Sequence, residues 1–212
     1  VGFSGTELPA ELRPRLHRGD FAGLVFFSRN FSAPTDPLAT AEFLRATAAV
    51  YQPTLPHRQG LPPILAIDHE GGRVQRLKAP LTVWPRMERL RPHPPALAQE
   101  VGRAMAVELA ALGLNVNFAP VLDVNSNPQN PIIGDRAFGE TADAAATGAL
   151  AFARGLARAG MLACGKHFPG HGDTVTDSHL ALPRIEHDLA HSYDPERDTI
   201  LNPMDDLTMW KA

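Results

Sequence analysis

Three histidines, two aspartates and a lysine fall within the fourteen residues Lys166-His167-Phe168-Pro169-Gly170-His171-Gly172-Asp173-Thr174-Val175-Thr176-Asp177-Ser178-His179. An imidazole trades protons near neutral pH without any environmental shift, and a carboxylate two residues away can fix its tautomer and raise its basicity. Asp177 and His179 therefore read as an oriented general acid/base pair. Metal binding is the competing chemistry, because His-rich tracts hold cations. The spacing argues against it: His167, His171 and His179 lie along a Pro/Gly segment, not at i and i+4 on one helix face. No metal site and no organic cofactor is expected. An inert surface loop is the plainest alternative.

The elements around the cluster say where it must sit. Met161-Leu162-Ala163-Cys164-Gly165 is an apolar run of strand length that follows a helical pattern. The ionisable residues should therefore leave the carboxyl end of a strand, where α/β barrels place their active sites. Two glycines and a proline forbid regular helix across the middle, so a shaped loop is expected. Upstream, Gly23-Leu24-Val25-Phe26-Phe27-Ser28 and Pro63-Ile64-Leu65-Ala66-Ile67 read as buried strands, with helices near residues 10–18 and 37–50. Leu97, Val101, Met105, Leu109 and Leu112 recur at helical spacing over residues 96–112, and Gly113 stands where a C-cap belongs. That helix feeds a strand at Asn115-Val116-Asn117-Phe118-Ala119, and a further helix over 142–159 ends at Gly160. This alternation, with no GxGxxG after the first strand, predicts an α/β fold of the TIM-type (β/α)8 barrel class instead of a dinucleotide-binding sheet. Cys164, inside an apolar strand, reads as a core residue.

Bulk properties narrow the function classes. A chain of 212 residues, 44% hydrophobic and with formal charge −3, suits a single soluble domain. No basic run follows a phosphate backbone and no apolar stretch reaches bilayer-spanning length, so neither nucleic acid nor a membrane is an expected partner. A single cysteine excludes an internal disulfide framework. No signal peptide is visible, although the sequence starts at Val1.

The run from Lys166 to His179, continuing through Leu180-Ala181-Leu182-Pro183, resembles the signature loop of the β-N-acetylglucosaminidases of glycoside hydrolase family 3, the peptidoglycan-recycling type. Residues 1–29, Ala66-Ile67-Asp68-His69-Glu70-Gly71-Gly72-Arg73-Val74-Gln75-Arg76-Leu77, Asn117-Phe118-Ala119-Pro120-Val121-Leu122-Asp123-Val124 and Asn130-Pro131-Ile132-Ile133-Gly134-Asp135-Arg136-Ala137-Phe138-Gly139 extend the likeness over most of the chain. It implies a hydrolase that removes terminal β-linked N-acetylglucosamine from anhydromuropeptides, in the cytoplasm and as a monomer. By the same likeness His179 is the acid/base, supported by Asp177. Asp68, Arg76, Arg136, Lys166 and His167 would then contact the sugar, Asp68 by accepting from two hydroxyls. The alternatives are an acid-capped helix start for Asp68, a surface salt bridge for Arg136 and a buried structural ion pair for Lys166. His69 stands where Gln is usual in this family. The turn-rich run Asn125-Ser126-Asn127-Pro128-Gln129-Asn130-Pro131 is expected to be ordered by its own polar groups.

Met204-Asp205-Asp206-Leu207-Thr208-Met209 resembles the family's nucleophile strand, which makes Asp205 the attacking carboxylate. The distance from His179 to Asp205 is short for the family. The 212 residues thus read as one N-terminal-type barrel domain lacking segments near 190/191 and 203/204 and its C-terminal helices. A β-glucosidase-type member of the superfamily, a non-catalytic saccharide-binding relative and a metal hydrolase are the rival readings.

Overall fold

A computed structural model describes residues 1–31, 36–51, 60–168 and 170–175 of the chain. The first helix, α1 (Leu12–Arg18), buries Leu12 and Leu16 and stops at Gly19, whose left-handed φ of 80° lets its N–H reach back to Leu16. It leads into β1 (Gly23–Phe26). Helix α2 (Pro37–Ala49) starts on Asp36, whose carboxylate accepts from the Leu38 and Ala39 amides, with proline at the first helical position. Strand β2 (Ile64–Ile67) then runs parallel to β1, with Gly23 opposite Ile64 and Phe26 opposite Ile67. The first and second predicted strands and their helices are therefore in place.

The segment after Asp68 is a small antiparallel hairpin of β3 (His69–Gly71) and β4 (Val74–Gln75). It is not a helix start. Gly71 and Gly72 carry φ of 100° and 57°, and a Cβ at Gly71 would sit 2.5 Å from the Pro85 carbonyl oxygen. The paired glycines thus set a tight turn under a crossing backbone, and the acid beside them becomes a strand residue.

Helix α3 (Pro95–Leu112) ends at Gly113 as its periodicity predicts and feeds β5 (Val116–Asn117). Helix α4 (Ala142–Arg158) is capped by the Thr141 hydroxyl and leads to β6 (Leu162–Ala163). The order β1-β2-β5-β6 is parallel throughout, so the described strands form four consecutive staves of a barrel wall. Its core gathers Leu24, Phe26, Leu44, Ile67, Met105, Leu109, Phe152 and Leu156 between sheet and helices. Phe3, Phe26, Phe31 and Phe43 pack edge-on or tilted at centroid distances of 6.0–6.5 Å.

Cys164 corrects an expectation. It is exposed, as are Leu162 and Ala163. An apolar strand suggests a core cysteine, but β6 is the last stave among the described residues and pairs only with β5 there.

Candidate active site

Four of the five predicted sugar-contact residues follow strands, and the fifth, Arg136, comes from a turn before α4. Asp68 follows β2, Arg76 follows β4, and Lys166 and His167 follow β6. Beyond β5 the backbone continues beside the last strand, with Val121 bridged in parallel to Lys166 and the Leu122 amide donating to the Lys166 carbonyl at 2.6 Å. That pairing brings Asp123 next to His167. Arg136 arrives from the loop before α4.

The side chains form one connected network. Lys166 Nζ lies 2.6 Å from Asp68 Oδ1 and 2.6 Å from Glu70 Oε1. Arg136 meets Glu70 through two parallel bonds, Nε to Oε2 and Nη2 to Oε1, both 2.8 Å. Arg76 Nη2 reaches Asp68 Oδ2 at 3.4 Å. His167 Nδ1 is 2.6 Å from Asp123 Oδ2, and its Nε2 is 3.4 Å from Arg136 Nη2. Glu70 is 2% exposed and Asp123 is fully buried. Three carboxylates face three permanent cations, so the charges inside the cleft balance.

Burial would raise the Asp68 carboxyl, but Lys166 and then Arg76 outweigh it, and its pKa lies below the ordinary 3.8. Glu70 behaves alike: burial opposes ionisation, and Arg136 and Lys166 reverse the balance to hold it below 4.5. Burial works against Arg136, yet Glu70 raises its pKa above the free value. All three groups are charged at neutral pH. His69 lies in the same region and goes the other way. Burial and the nearby Arg76 charge lower it to about 4, so it is a neutral core imidazole. Its backbone is clamped by Asn117, whose amide accepts from the His69 N–H at 3.0 Å and donates to the His69 carbonyl at 2.8 Å.

The turn-rich loop is ordered as its composition predicts. Asn130 Oδ1 accepts from the Ile132 and Ile133 amides, and its Nδ2 donates to the carbonyls of His171 and Gly172. Ser126 and Asn127 hold Asp173 through its side chain and backbone. A Cβ at Gly172 would fall 1.6 Å from the Val124 carbonyl oxygen, so only glycine allows this docking. Arg73 donates to the carbonyls of Pro131, Ile132 and Ile133, and this tether fixes the turn that presents Arg136. The first part of the histidine loop is therefore stapled to the segment that carries Arg136.

Asp68, Arg76, Arg136, Lys166 and His167 are thus brought together, whereas Asp177, His179 and Asp205 lie outside the described residues. So do the positions near 190/191 and 203/204. Glu70, Asp123, Asn130 and Arg73 join the site without having been singled out for it. An acid beside Gly-Gly and an acid leaving a strand were visible, but their partners are 66 and 44 residues away. Among the described residues no group of three or more His, Cys, Asp or Glu side chains could hold a metal ion, and no helix is long and apolar enough to cross a membrane.

The sequence matches the Glycosyl hydrolase family 3 N terminal domain over residues 5–194. It is 41% identical over 189 residues to a beta-hexosaminidase of Methylococcus capsulatus, covering 87% of this chain and 53% of that protein. A beta-hexosaminidase of Pseudomonas aeruginosa is 42% identical over 185 residues, with 86% and 52% covered. The chain spans about half the length of these curated relatives. Among solved structures, NagZ from Neisseria gonorrhoeae in complex with N-trifluoroacetyl-D-glucosamine superposes with a TM-score of 0.77 at 36% identity, over 90% of this chain and 55% of that one. A family 3 beta-N-acetylglucosaminidase from Paenibacillus gives 0.76 at 39% identity, over 86% and 34%. With the family domain matched over most of this chain and a parallel barrel wall observed, the chain belongs to glycosyl hydrolase family 3.

Proposed function

We propose that this chain is the barrel domain of a retaining glycosidase that removes terminal, non-reducing β-linked N-acetylglucosamine. The observation that carries the reading is the convergence of Asp68, Arg76, Arg136, Lys166 and His167 in one hydrogen-bonded network at the strand ends. A pyranose presents neighbouring hydroxyls that each donate and accept. An ionised carboxylate flanked by fixed cationic donors matches such a pair, and because the donors are already held, little ordering is left for the sugar to drive.

The chemical step is assigned to the three residues that the sequence likeness singles out. Asp205 attacks the anomeric carbon and forms a glycosyl ester while protonated His179 gives its proton to the departing oxygen. Neutral His179, oriented by Asp177, then takes a proton from the water that cleaves the ester, and the anomeric configuration is retained. A histidine acid is cationic before it donates, so it is attracted to the nucleophile, whereas a carboxyl acid would be neutral at that stage and anionic afterwards. Side chains supply every proton and the nucleophile, and the mechanism uses no cofactor. The family likeness extends the proposal to an anhydromuramoyl peptide as aglycone and to a monomer acting in the cytoplasm.

The test is turnover of chromogenic N-acetylglucosaminide against glucoside by the full-length protein, with the His179→Ala and Asp205→Asn variants. We expect preference for the N-acetyl sugar, loss of turnover in Asp205→Asn, and a fall of about 10²-fold or more in His179→Ala that is steepest for poor leaving groups. Sugar binding with no turnover in the wild-type protein would refute the reading in favour of a saccharide-binding relative.

A further inference from the structure

His167 lies between two groups that make opposite demands on its ring. Asp123 Oδ2 is 2.6 Å from Nδ1, and a carboxylate in a network of charged partners can only accept, so Nδ1 must carry the hydrogen. Arg136 Nη2 is 3.4 Å from Nε2, and a guanidinium can only donate, so Nε2 must offer its lone pair. Two neighbours from different segments thus select the same tautomer. Asp123 is itself fixed, since it is fully buried and its other oxygen, Oδ1, accepts the His171 backbone N–H at 2.6 Å.

We propose that Asp123 is a positioning residue that makes His167 an oriented hydrogen-bond acceptor, so that the single Nε2 lone pair, which Arg136 contacts only at 3.4 Å, accepts a hydrogen bond from a substrate hydroxyl in place of Arg136 while Lys166 and Arg76 act as donors. The assignment rests on reading the cleft as a sugar site. The two demands on Asp123 explain why a carboxylate is needed. Asparagine has one acceptor and one donor. If its oxygen keeps the His171 amide, its NH₂ faces Nδ1 and drives the hydrogen to Nε2, against Arg136. If it turns over, the buried His171 N–H loses its partner.

The test combines a spectroscopic and a kinetic readout on the full-length protein. With ¹⁵N-labelled histidine, the neutral His167 ring of the wild type should show a protonated Nδ1 and a bare Nε2, and Asp123→Asn should move the hydrogen to Nε2. The kinetic arm uses N-acetylglucosaminides in which one ring hydroxyl at a time is replaced by fluorine, which accepts weakly and cannot donate. At the hydroxyl facing His167, the wild type should lose roughly tenfold or more in kcat/KM, and Asp123→Asn should lose much less. The electronic effect of fluorine on the reaction is common to both proteins and cancels in that comparison. A wild-type ring protonated at Nε2 would overturn the proposal, and so would an Asp123→Asn protein whose His171 amide stays hydrogen-bonded while the tautomer is unchanged. Equal fluorine penalties in the two proteins would overturn it where the hydrogen has moved to Nε2. If Asp123→Asn does not fold, the wild-type tautomer alone decides. Absence of any N-acetylglucosaminidase activity would refute the sugar reading and leave the tautomer assignment to stand or fall on the spectrum.

Discussion

Glu70 is where the site is most exposed to a single change, because one buried carboxylate holds two of its cations. Its oxygens take both bonds of Arg136 and the ammonium of Lys166, and its side chain is 2% exposed. Replacing it with glutamine keeps the shape and removes the charge, so two cations remain against fewer acceptors in a place that water reaches poorly. Breaking a buried pair from one side costs about 3 kcal/mol or more. Glu70→Gln should therefore lower the unfolding free energy measured in urea by about 3 kcal/mol, with a matching fall in the midpoint, and raise KM for the sugar, because Arg136 and Lys166 lose their fixed positions. An unfolding midpoint within experimental error of wild type would mean that the cations do not depend on Glu70. The sequence pointed to the cations and to Asp68 through their motifs. It gave no sign of the acids that orient them. Glu70 carried no reading of its own, and only folding across 66 residues reveals its bond to Arg136.

Local periodicity was the readable part of the elements. Leu97 to Leu112 and the glycines at 113 and 160 marked helices and their ends where they are found, although Leu97 is 40% exposed and the buried face of α3 runs through Ala98, Gly102, Met105, Ala106, Leu109 and Leu112. The hairpin after Asp68 and the exposure of Cys164 were not readable, because pairing partners and the covering of a strand are tertiary facts. Helix contact is a second case of this kind. Gly102 and Gly155 look like weak points in α3 and α4, yet a Cβ at Gly155 would lie 2.0 Å from the Gln99 carbonyl oxygen, and one at Gly102 would lie 2.3 Å from that of Phe152. The two glycines face the partner helix's backbone and set how closely the helices approach. Helix propensity alone predicts that Gly155→Ala stabilises by about 1 kcal/mol. The contact predicts the reverse, because backbone must move to admit the methyl group, at a cost of about 1–3 kcal/mol in a packed interior. Equilibrium unfolding of Gly155→Ala should show a net loss, and a gain would mean that the helices stand farther apart.

The balance of charge across the whole molecule leads to a stability profile with two separate acid limbs. His69 is held neutral by burial and by Arg76, with its pKa lowered from 6.5 to about 4. The unfolded chain takes up this proton below 6.5 and the folded chain only near 4, so between those values the unfolded state binds more protons. Stability therefore falls as pH drops through that window, by about 3 kcal/mol for the single imidazole. Asp68 and Glu70 act lower down. Their folded pKa values lie below the ordinary 3.8 and 4.5, so their contributions are complete above those values and are lost as pH falls further. The His69→Gln variant separates the limbs, because glutamine takes no proton and fills a similar volume. Denaturant unfolding across pH 7.5 to 3 should show the wild type weakening from about pH 6.5 downward. The variant should hold level until the carboxylate range and then fall in parallel with the wild type. If His69→Gln keeps the full decline between 6.5 and 4, the protons responsible bind elsewhere and His69 is not the buried neutral group described above.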